Sequence, residues 1–283
     1  ANHHNAQRNW LLVILNTDNP NISGIGDASP MEDDDLVMAM IEAMVQKHLS
    51  GKDPLESEVH WTNLYQDFQA RGGRIASTAL SGIDIALWDL KGKLLDQPVW
   101  KLLGGAHRKK IRVYANGWYT NPGTPEQNAE EAKIVIDKGY TALKFDPFGQ
   151  DNFYKLSLQE SQLAEERVAA VRESVGPFVD IIVEAHAKFN VMNAIQIGKR
   201  LEEYRPLFYE EPVSQERVSE LLEVRNKVNI PIATGERLYT KFPFAEIVDR
   251  HAVDVLQPDI ANAGGITELK KIAIIAEAKH ITM

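Results

Sequence analysis

The chain has 283 residues, long enough for two domains, and it is 44% hydrophobic and 25% charged, as ordinary globular proteins are. Its net charge of −9 argues against a nucleic-acid partner, because no basic face offsets the negative charge. The sequence contains no cysteine, which excludes disulfides, thiolate metal ligands and a cysteine nucleophile. No apolar run approaches the length of a membrane span, and the N-terminus lacks a signal pattern. We therefore expect no membrane partner and a cytoplasmic location.

The first hundred residues predict a small α+β region. An apolar strand is predicted at 10–15, and residues 22–27 read as the returning strand of a hairpin, with glycines where the backbone needs freedom. Helical spacing of apolar residues predicts one amphipathic helix from Asp33 to His48 and a second from Glu56 to Gln69. Arg71-Gly-Gly73 interrupts the pattern, and a third helix with one apolar stripe follows from Ala76.

An alternation of strands and helices begins at Ile111. The predicted strands end at Asn116, Asp146, Glu184, Glu210, Glu236 and Asp259. Helices are predicted from Thr124 to Lys138, up to Ser174 after a long connection from Pro147 to Leu163, and from Thr267 to Lys279. Each later unit has the length that a strand, a helix and two loops require, about 25 residues or more, so we predict βα units with parallel strands.

Three glutamates recur at an even interval along this part of the chain. Glu184, Glu210 and Glu236 each close a short apolar run, and they stand 26 residues apart. Because the C-terminal ends of parallel strands meet at one mouth, the three carboxylates would repel one another, by about 4 kcal/mol for each pair at 4 Å. A divalent cation with oxygen ligands, Mg²⁺, removes this repulsion. The alternative for any one of them is an N-cap of the following helix.

The repeated units predict an α/β protein with a TIM-like (β/α) barrel. A closed barrel of this kind needs eight strands, whereas the sequence supplies six and, at 281–283, the start of a seventh. An open cylinder would leave two apolar edges unpaired, which soluble proteins avoid. We therefore expect the barrel to be incomplete at its C-terminus in this chain.

Several motifs resemble the enolase superfamily, in the branch of mandelate racemase and muconate lactonizing enzyme, and within it the acid-sugar dehydratases of the galactonate, gluconate and mannonate type. The motifs are ALSGIDIALWDLKGK from Ala79, PVWKLLGG from Pro98, YEEP from Tyr209, Gly235-Glu236, and Pro258-Asp259 followed by GGIT from Gly264. The resemblance implies an N-terminal α+β capping domain, residues 1–108, over a modified barrel domain, residues 109–283. Members of this family commonly assemble, so we expect a homo-oligomer.

The resemblance also implies a reaction, the abstraction of a proton next to a carboxylate, with Mg²⁺ stabilising the negative charge of the enediolate that results. Its metal ligands fall on Glu184, Glu210 and Glu236, although the family often has Asp at the first of these positions. Lys144 would neutralise the substrate carboxylate. The racemases have Lys-x-Lys here, whereas this chain has Lys144-Phe-Asp146, which puts racemisation by two bases in doubt. Asp146 is a candidate to bind a sugar hydroxyl, to act as a base or to ligate a second cation.

The remaining candidate residues point to dehydration. Glu184-Ala-His186 resembles the Asp-x-His of acid-sugar dehydratases, in which the histidine protonates the departing hydroxide. We place His186 at the mouth because strand side chains alternate with period two. Asp259 matches the aspartate of a histidine–aspartate dyad whose histidine we expect beyond Met283. Arg237 and Asn116 are candidates for binding hydroxyls or charge, with a structural hydrogen bond as the alternative for each.

We therefore predict a Mg²⁺-dependent acid-sugar dehydratase that converts a small sugar acid to a 2-keto-3-deoxy acid. One alternative is a racemase, epimerase or cycloisomerase on the same scaffold, which would exchange the proton next to the carboxylate without losing water. A second alternative, of another class, is a non-catalytic barrel that only binds a ligand.

Overall fold

The computed structural model describes residues 10–29, 34–149 and 156–283, with the backbone only at 69–72. The N-terminal part consists of a hairpin packed on helices. Strand β1 (Leu12–Asn16) pairs antiparallel with β2 (Ser23–Asp27), and helices α1 (Asp34–His48), α2 (Ser57–Leu94) and α3 (Val99–Leu102) follow. The predicted strands and helices of this region are confirmed, although Asp33, the predicted first residue of α1, lies outside the described residues.

Helix α2 is bent at the glycine where the sequence predicts a break between two helices. Gly73 has φ 47° and ψ −127°, which is not helical and which a residue with a Cβ rarely adopts. The chain is helical before and after Gly73, so the two predicted helices form one element with a kink. The break is therefore confirmed, and its position is Gly73.

Strand β2 lies against helix α2 at a distance that only glycine allows. A Cβ added to Gly26 would come within 2.0 Å of the carbonyl oxygen of Gly82, and one added to Gly24 within 2.1 Å of the carbonyl oxygen of Ala86. Neither Gly24 nor Gly26 has a positive φ. The prediction that these glycines serve backbone freedom is therefore wrong, because they serve close packing of strand on helix.

The second part of the chain alternates strands and helices around a parallel sheet. In chain order its elements are α4 (Pro125–Asp137), β3 (Ala142–Phe145), α5 (Leu158–Val175), β4 (Asp180–Glu184), α6 (Val191–Leu201), β5 (Phe208–Glu210), α7 (Val218–Lys227), β6 (Ile232–Thr234), α8 (Lys241–Asp249), β7 (Val255–Leu256) and α9 (Gly265–Glu277). The strands pair in the order β3-β4-β5-β6-β7, all parallel. The predicted βα architecture is confirmed.

Several boundaries differ from the prediction, since β6 ends at Thr234 and β7 at Leu256, before the predicted Glu236 and Asp259. Residues 111–116 do not form a regular strand, and only Ala115 pairs, by a parallel bridge to Leu143 at one edge of the sheet. Helix α5 begins at Leu158, five residues before the predicted Leu163, because Ser157 caps it with a capping box. At the other edge, Thr282 bridges to Val255, in agreement with the predicted start of a further strand at 281–283.

The two parts carry separate apolar cores that meet along α2. One buried cluster spans Val13 to Leu87, and a second lies between the parallel strands and helices α4 to α9. Polar contacts join them, because Ser81 accepts a hydrogen bond from the Gly264 backbone (2.9 Å) and Trp61 donates to the Gly264 carbonyl (2.7 Å). In the described ranges, every helix is too short or too polar to cross a lipid bilayer.

Candidate metal centre and active site

The C-terminal ends of three neighbouring strands bring the three predicted glutamates together. Glu184 and Glu210 are the last residues of β4 and β5 and stand side by side in the strand register. Glu236 follows β6 by two residues. One carboxylate oxygen from each of the three lies within 4.8 Å of the others. The interval of 26 residues therefore corresponds to one βα unit of this sheet.

Gly235 brings the third glutamate to this cluster. Its φ is 146°, and a Cβ there would lie 2.7 Å from the carbonyl carbon of Gln257 on the neighbouring segment. Only glycine lets the chain leave β6 so close to β7. Glu236 consequently turns back toward Glu184 and Glu210 instead of following the next loop outward.

A buried lysine lies between two of the carboxylates. Lys144, at the C-terminal end of β3, donates to Glu184 (3.0 Å) and to Glu210 (2.9 Å), and only 8% of its side chain is exposed. Burial lowers the pKa of Lys144, but the charges of Glu184 and Glu210 outweigh burial and raise it above its usual range. The ammonium is therefore a permanent positive charge at this point.

One lysine does not neutralise the whole cluster. Burial raises the pKa of Glu210, and the adjacent Glu184 charge adds to this, so that the pKa reaches about 9 despite Lys144. The pKa of Glu184 is lowered, because Lys144 and the charge and backbone N–H of His186 outweigh its burial. The buried pair thus favours one proton at neutral pH, and the cluster has capacity for further positive charge.

A second group of charged residues adjoins the cluster. His186 Nδ1 lies 2.8 Å from Asp146 Oδ2, and the His186 backbone N–H donates to Glu184 (2.7 Å). Lys188 donates to the same Asp146 oxygen. Burial lowers the pKa of His186, but the hydrogen bond to Asp146 and the charges of Glu184 and Asp146 raise it overall. His186 therefore holds its proton more firmly than an ordinary histidine does.

The position of His186 has a different cause from the predicted one. Strand β4 ends at Glu184, and His186 and Ala187 both have positive φ, 49° and 57°. The chain therefore makes a left-handed turn after the glutamate instead of continuing the strand. The assumption that strand alternation orients His186 is wrong, and the turn and the bond to Asp146 orient it instead.

Three other residues were predicted to belong to the site: Arg237, Asn116 and Asp259. Arg237 contacts Glu211 (2.7 Å) and Glu236 (3.4 Å), and Glu211 is fully buried behind the cluster. Asn116 is exposed, and its side chain accepts a hydrogen bond from the backbone of Gly117. Asp259 is exposed after β7, where its carboxylate accepts the backbone N–H of Ala261. The roles assigned to these residues stay predictions.

Three residues near the cluster escaped the sequence reasoning. Lys188 is buried beside Asp146, Tyr114 lies with its ring 5.7 Å from the Lys144 ammonium, and Gln257 points its side-chain amide at Glu210. With its nitrogen facing Glu210, the Gln257 amide donates to both carboxylate oxygens, at 3.2 and 3.3 Å. The sequence offers a signal for Lys188, because this lysine stands two residues after the Glu-x-His motif, just beyond the end of a buried strand.

Known proteins resemble this chain over nearly its whole length. Residues 2–104 match the mandelate racemase/muconate lactonizing enzyme N-terminal domain, and residues 127–283 match the enolase C-terminal domain-like family. A D-gluconate dehydratase of Thermoproteus tenax is 45% identical over 81% of this chain and 46% of that protein. A D-gluconate/D-galactonate dehydratase of Picrophilus torridus is 38% identical over 95% of this chain and 68% of that protein. The chain thus spans about half the length of the first relative and about two thirds of the second.

Solved structures agree with the sequence matches. A member of the enolase superfamily from Salmonella Typhimurium superimposes with a TM-score of 0.89 at 36% identity, over 99% of this chain and 76% of that one. A mandelate racemase/muconate lactonizing enzyme-like protein from Roseovarius sp. TM1035 gives a TM-score of 0.88 at 36% identity, over 96% of this chain and 72% of that one. Together with three clustered glutamates at the ends of parallel strands, these matches show that the chain belongs to the mandelate racemase/muconate lactonizing enzyme branch of the enolase superfamily.

Proposed function

We propose that this protein is a Mg²⁺-dependent acid-sugar dehydratase, which removes water from a sugar acid to give a 2-keto-3-deoxy acid. The observation that carries the proposal is the meeting of Glu184, Glu210 and Glu236 at one point, with His186 beside them. The two named relatives are dehydratases of D-gluconate and of D-gluconate and D-galactonate, so these two acids are the first substrates to test.

The donor set fits a divalent metal ion. All three side chains offer carboxylate oxygens, which suit Mg²⁺, and they converge within 4.8 Å. Among the described atoms, Glu236 Oε1 is buried and accepts no hydrogen bond, with the Arg237 guanidinium 3.4 Å away, so this oxygen keeps acceptor capacity that suits a cation. A bound Mg²⁺ supplies positive charge beside the substrate carboxylate, which stabilises the negative charge that forms when the neighbouring carbon loses its proton.

We assign the two remaining tasks to Lys144 and His186. The Lys144 ammonium, permanently charged at the end of β3, is placed to attract the substrate carboxylate to the cluster. His186 engages Asp146 through Nδ1, so its other ring nitrogen, Nε2, is available to deliver a proton to the hydroxide that leaves from C3. About 40% of the His186 side chain is exposed, which leaves room for a substrate to reach it.

The roles of the remaining site residues are also proposals. Asp259 would orient the base that takes the C2 proton, and Arg237 and Asn116 would bind hydroxyls of the substrate. Asp146, predicted as a catalytic or substrate-binding group, is buried against His186. We also propose that residues 1–108 cap the barrel formed by residues 109–283. A cytoplasmic location and a homo-oligomeric state stay predictions.

A product assay tests the function. The full-length enzyme, stripped of metal with EDTA and dialysed, is incubated with D-gluconate, D-galactonate and other sugar acids, with and without Mg²⁺, and 2-keto-3-deoxy products are quantified. We expect product with at least one acid, only after Mg²⁺ is restored. Glu236→Gln preserves the size of the side chain and should abolish this activity while weakening Mg²⁺ binding measured by calorimetry. Absence of product with every acid and with Mg²⁺ present would contradict the proposal.

A further inference from the structure

A buried lysine near His186, the proposed proton donor, has no part in the function described so far. Lys188 lies four residues beyond Glu184, in the segment that joins β4 to α6, and 5% of its side chain is exposed. Its ammonium donates to Asp146 and to the backbone carbonyl of Gly149. A buried ammonium is costly unless it is paired, so a lysine at this position depends on Asp146.

Asp146 is shared between this lysine and His186. Its Oδ2 atom contacts both the Lys188 ammonium and His186 Nδ1, and its Oδ1 atom accepts the backbone N–H of Phe148 at 2.8 Å. Only 1% of the Asp146 side chain is exposed. Each carboxylate oxygen is therefore already engaged inside the protein, which suits an orienting group better than one that binds substrate.

The His186 ring depends on this carboxylate for its orientation. The ring follows a left-handed turn, not a strand, and 40% of its side chain is exposed. In the described parts of the chain, the side-chain hydrogen bond recorded for His186 is the one to Asp146. If the Lys188 ammonium is removed, the buried Asp146 carboxylate loses the cation bound to Oδ2, which favours rotation of the carboxylate toward the open mouth and with it movement of the ring.

We propose that Lys188 is a positioning residue for the dehydration, which holds Asp146 so that His186 presents Nε2 to the leaving hydroxyl. The assignment rests on the proposed function. In the reaction a base takes the C2 proton, the C3–O bond breaks, and the departing hydroxide takes a proton from His186 to leave as water. Lys188 then affects only the step in which the leaving group needs a proton.

A purely structural role gives a different expectation. Lys188 also holds the Gly149 carbonyl, and Arg167 holds the same loop by donating to the carbonyls of Pro147 (2.6 Å) and Gly123 (2.7 Å). Among the described contacts, Arg167 makes no hydrogen bond or ion pair with Asp146 or His186, and only the longer-range attraction of its charge reaches Asp146. Arg167→Met is therefore a control for a loosened loop, because it leaves the contacts of Asp146 with Lys188 and His186 in place.

The experiment compares leaving groups. Lys188→Met removes the charge and keeps the length of the side chain, and it is assayed with Mg²⁺ on the preferred sugar acid and on its 3-deoxy-3-fluoro analogue, since fluoride leaves without needing a proton. We expect water loss to fall about 10- to 100-fold, because a misplaced group can cost about 10²-fold, while fluoride loss stays within about 3-fold of the parent. Asp146→Asn should show the same selectivity, which keeps the test available if Lys188→Met does not fold.

Two further readouts separate the possible failures. Exchange of the C2 proton with deuterated solvent should persist in Lys188→Met, whereas Arg167→Met should lower water loss and fluoride loss by the same factor. Equal losses of water and fluoride in Lys188→Met and Asp146→Asn would overturn the assignment of Lys188 and leave the dehydratase intact. Failure of the parent protein to eliminate either group from any acid would overturn the proposed function, and the assignment with it.

Discussion

Asp84 carries a carboxylate from helix α2 into the contact with the barrel. It is 1% exposed and accepts hydrogen bonds from the Thr267 backbone N–H (2.9 Å) and hydroxyl (2.5 Å), while Trp88 donates to that hydroxyl (2.8 Å). Burial raises the pKa of Asp84 from 3.8 to about 7, the Glu58 charge adds to this, and the bonds from Thr267 oppose it. Folding therefore favours the protonated form of this group.

The raised pKa has a defined consequence for stability. Because the folded protein binds this proton more tightly than the unfolded chain, the group stabilises the fold below pH 4, and the contribution disappears as the pH rises through about 7. At about 1.4 kcal/mol for each pKa unit, the full contribution is about 4 kcal/mol. The part that is lost between pH 5 and pH 8 is about 2 to 3 kcal/mol.

Asp84→Asn tests this value, because asparagine has the same shape and does not ionise. The free energy of unfolding is measured for both proteins with urea in EDTA buffer at pH 5, 6, 7 and 8. We expect the variant to gain stability relative to the parent by about 2 to 3 kcal/mol from pH 5 to pH 8. Buried acids such as Glu210 are present in both proteins, so their titration cancels in the difference. A difference that stays constant over this range would refute the reasoning.

Two further substitutions test packing and charge. Gly26→Ala places a methyl group 2.0 Å from the Gly82 carbonyl, so we expect urea denaturation to show a loss of about 1 to 3 kcal/mol, and an unchanged midpoint would contradict the close packing of β2 on α2. Lys144→Met leaves Glu184 and Glu210 without their cation, so we expect a loss of about 3 to 5 kcal/mol in EDTA. Added Mg²⁺ should raise the melting temperature of this variant more than that of the parent, and equal shifts would contradict a shared cation site.

Much of the fold is encoded in local patterns. Apolar runs of strand length, helical spacing and breakers such as Gly73 act over a few residues, so the sequence is sufficient to predict the order of elements and the βα alternation. The sequence predicts the start of helix α5 too late in the chain. That start depends on the Ser157 cap, a single residue within a polar connection that carries no periodic signal.

The glycines of β2 show where local patterns stop being informative. Gly24 and Gly26 look like flexible hairpin residues in the sequence, but their role depends on helix α2, more than fifty residues away. Asp84 is similar, because it is buried against the segment of Thr267, 183 residues further along the chain, and this burial raises its pKa. Contacts between distant segments have no period or spacing that a single sequence reveals.

The sequence by itself determined that Glu184, Glu210 and Glu236 share one end of a sheet, because parallel strands of similar units must finish on the same side. Only the tertiary structure decided how their neighbours are arranged. His186 is oriented by a left-handed turn and by Asp146, and Lys188 reaches that carboxylate from another segment. The reason is that the evenly spaced units of the chain place the ends of their strands on one side of the sheet. The pairing of buried charges depends instead on which side chains meet once the strands have packed.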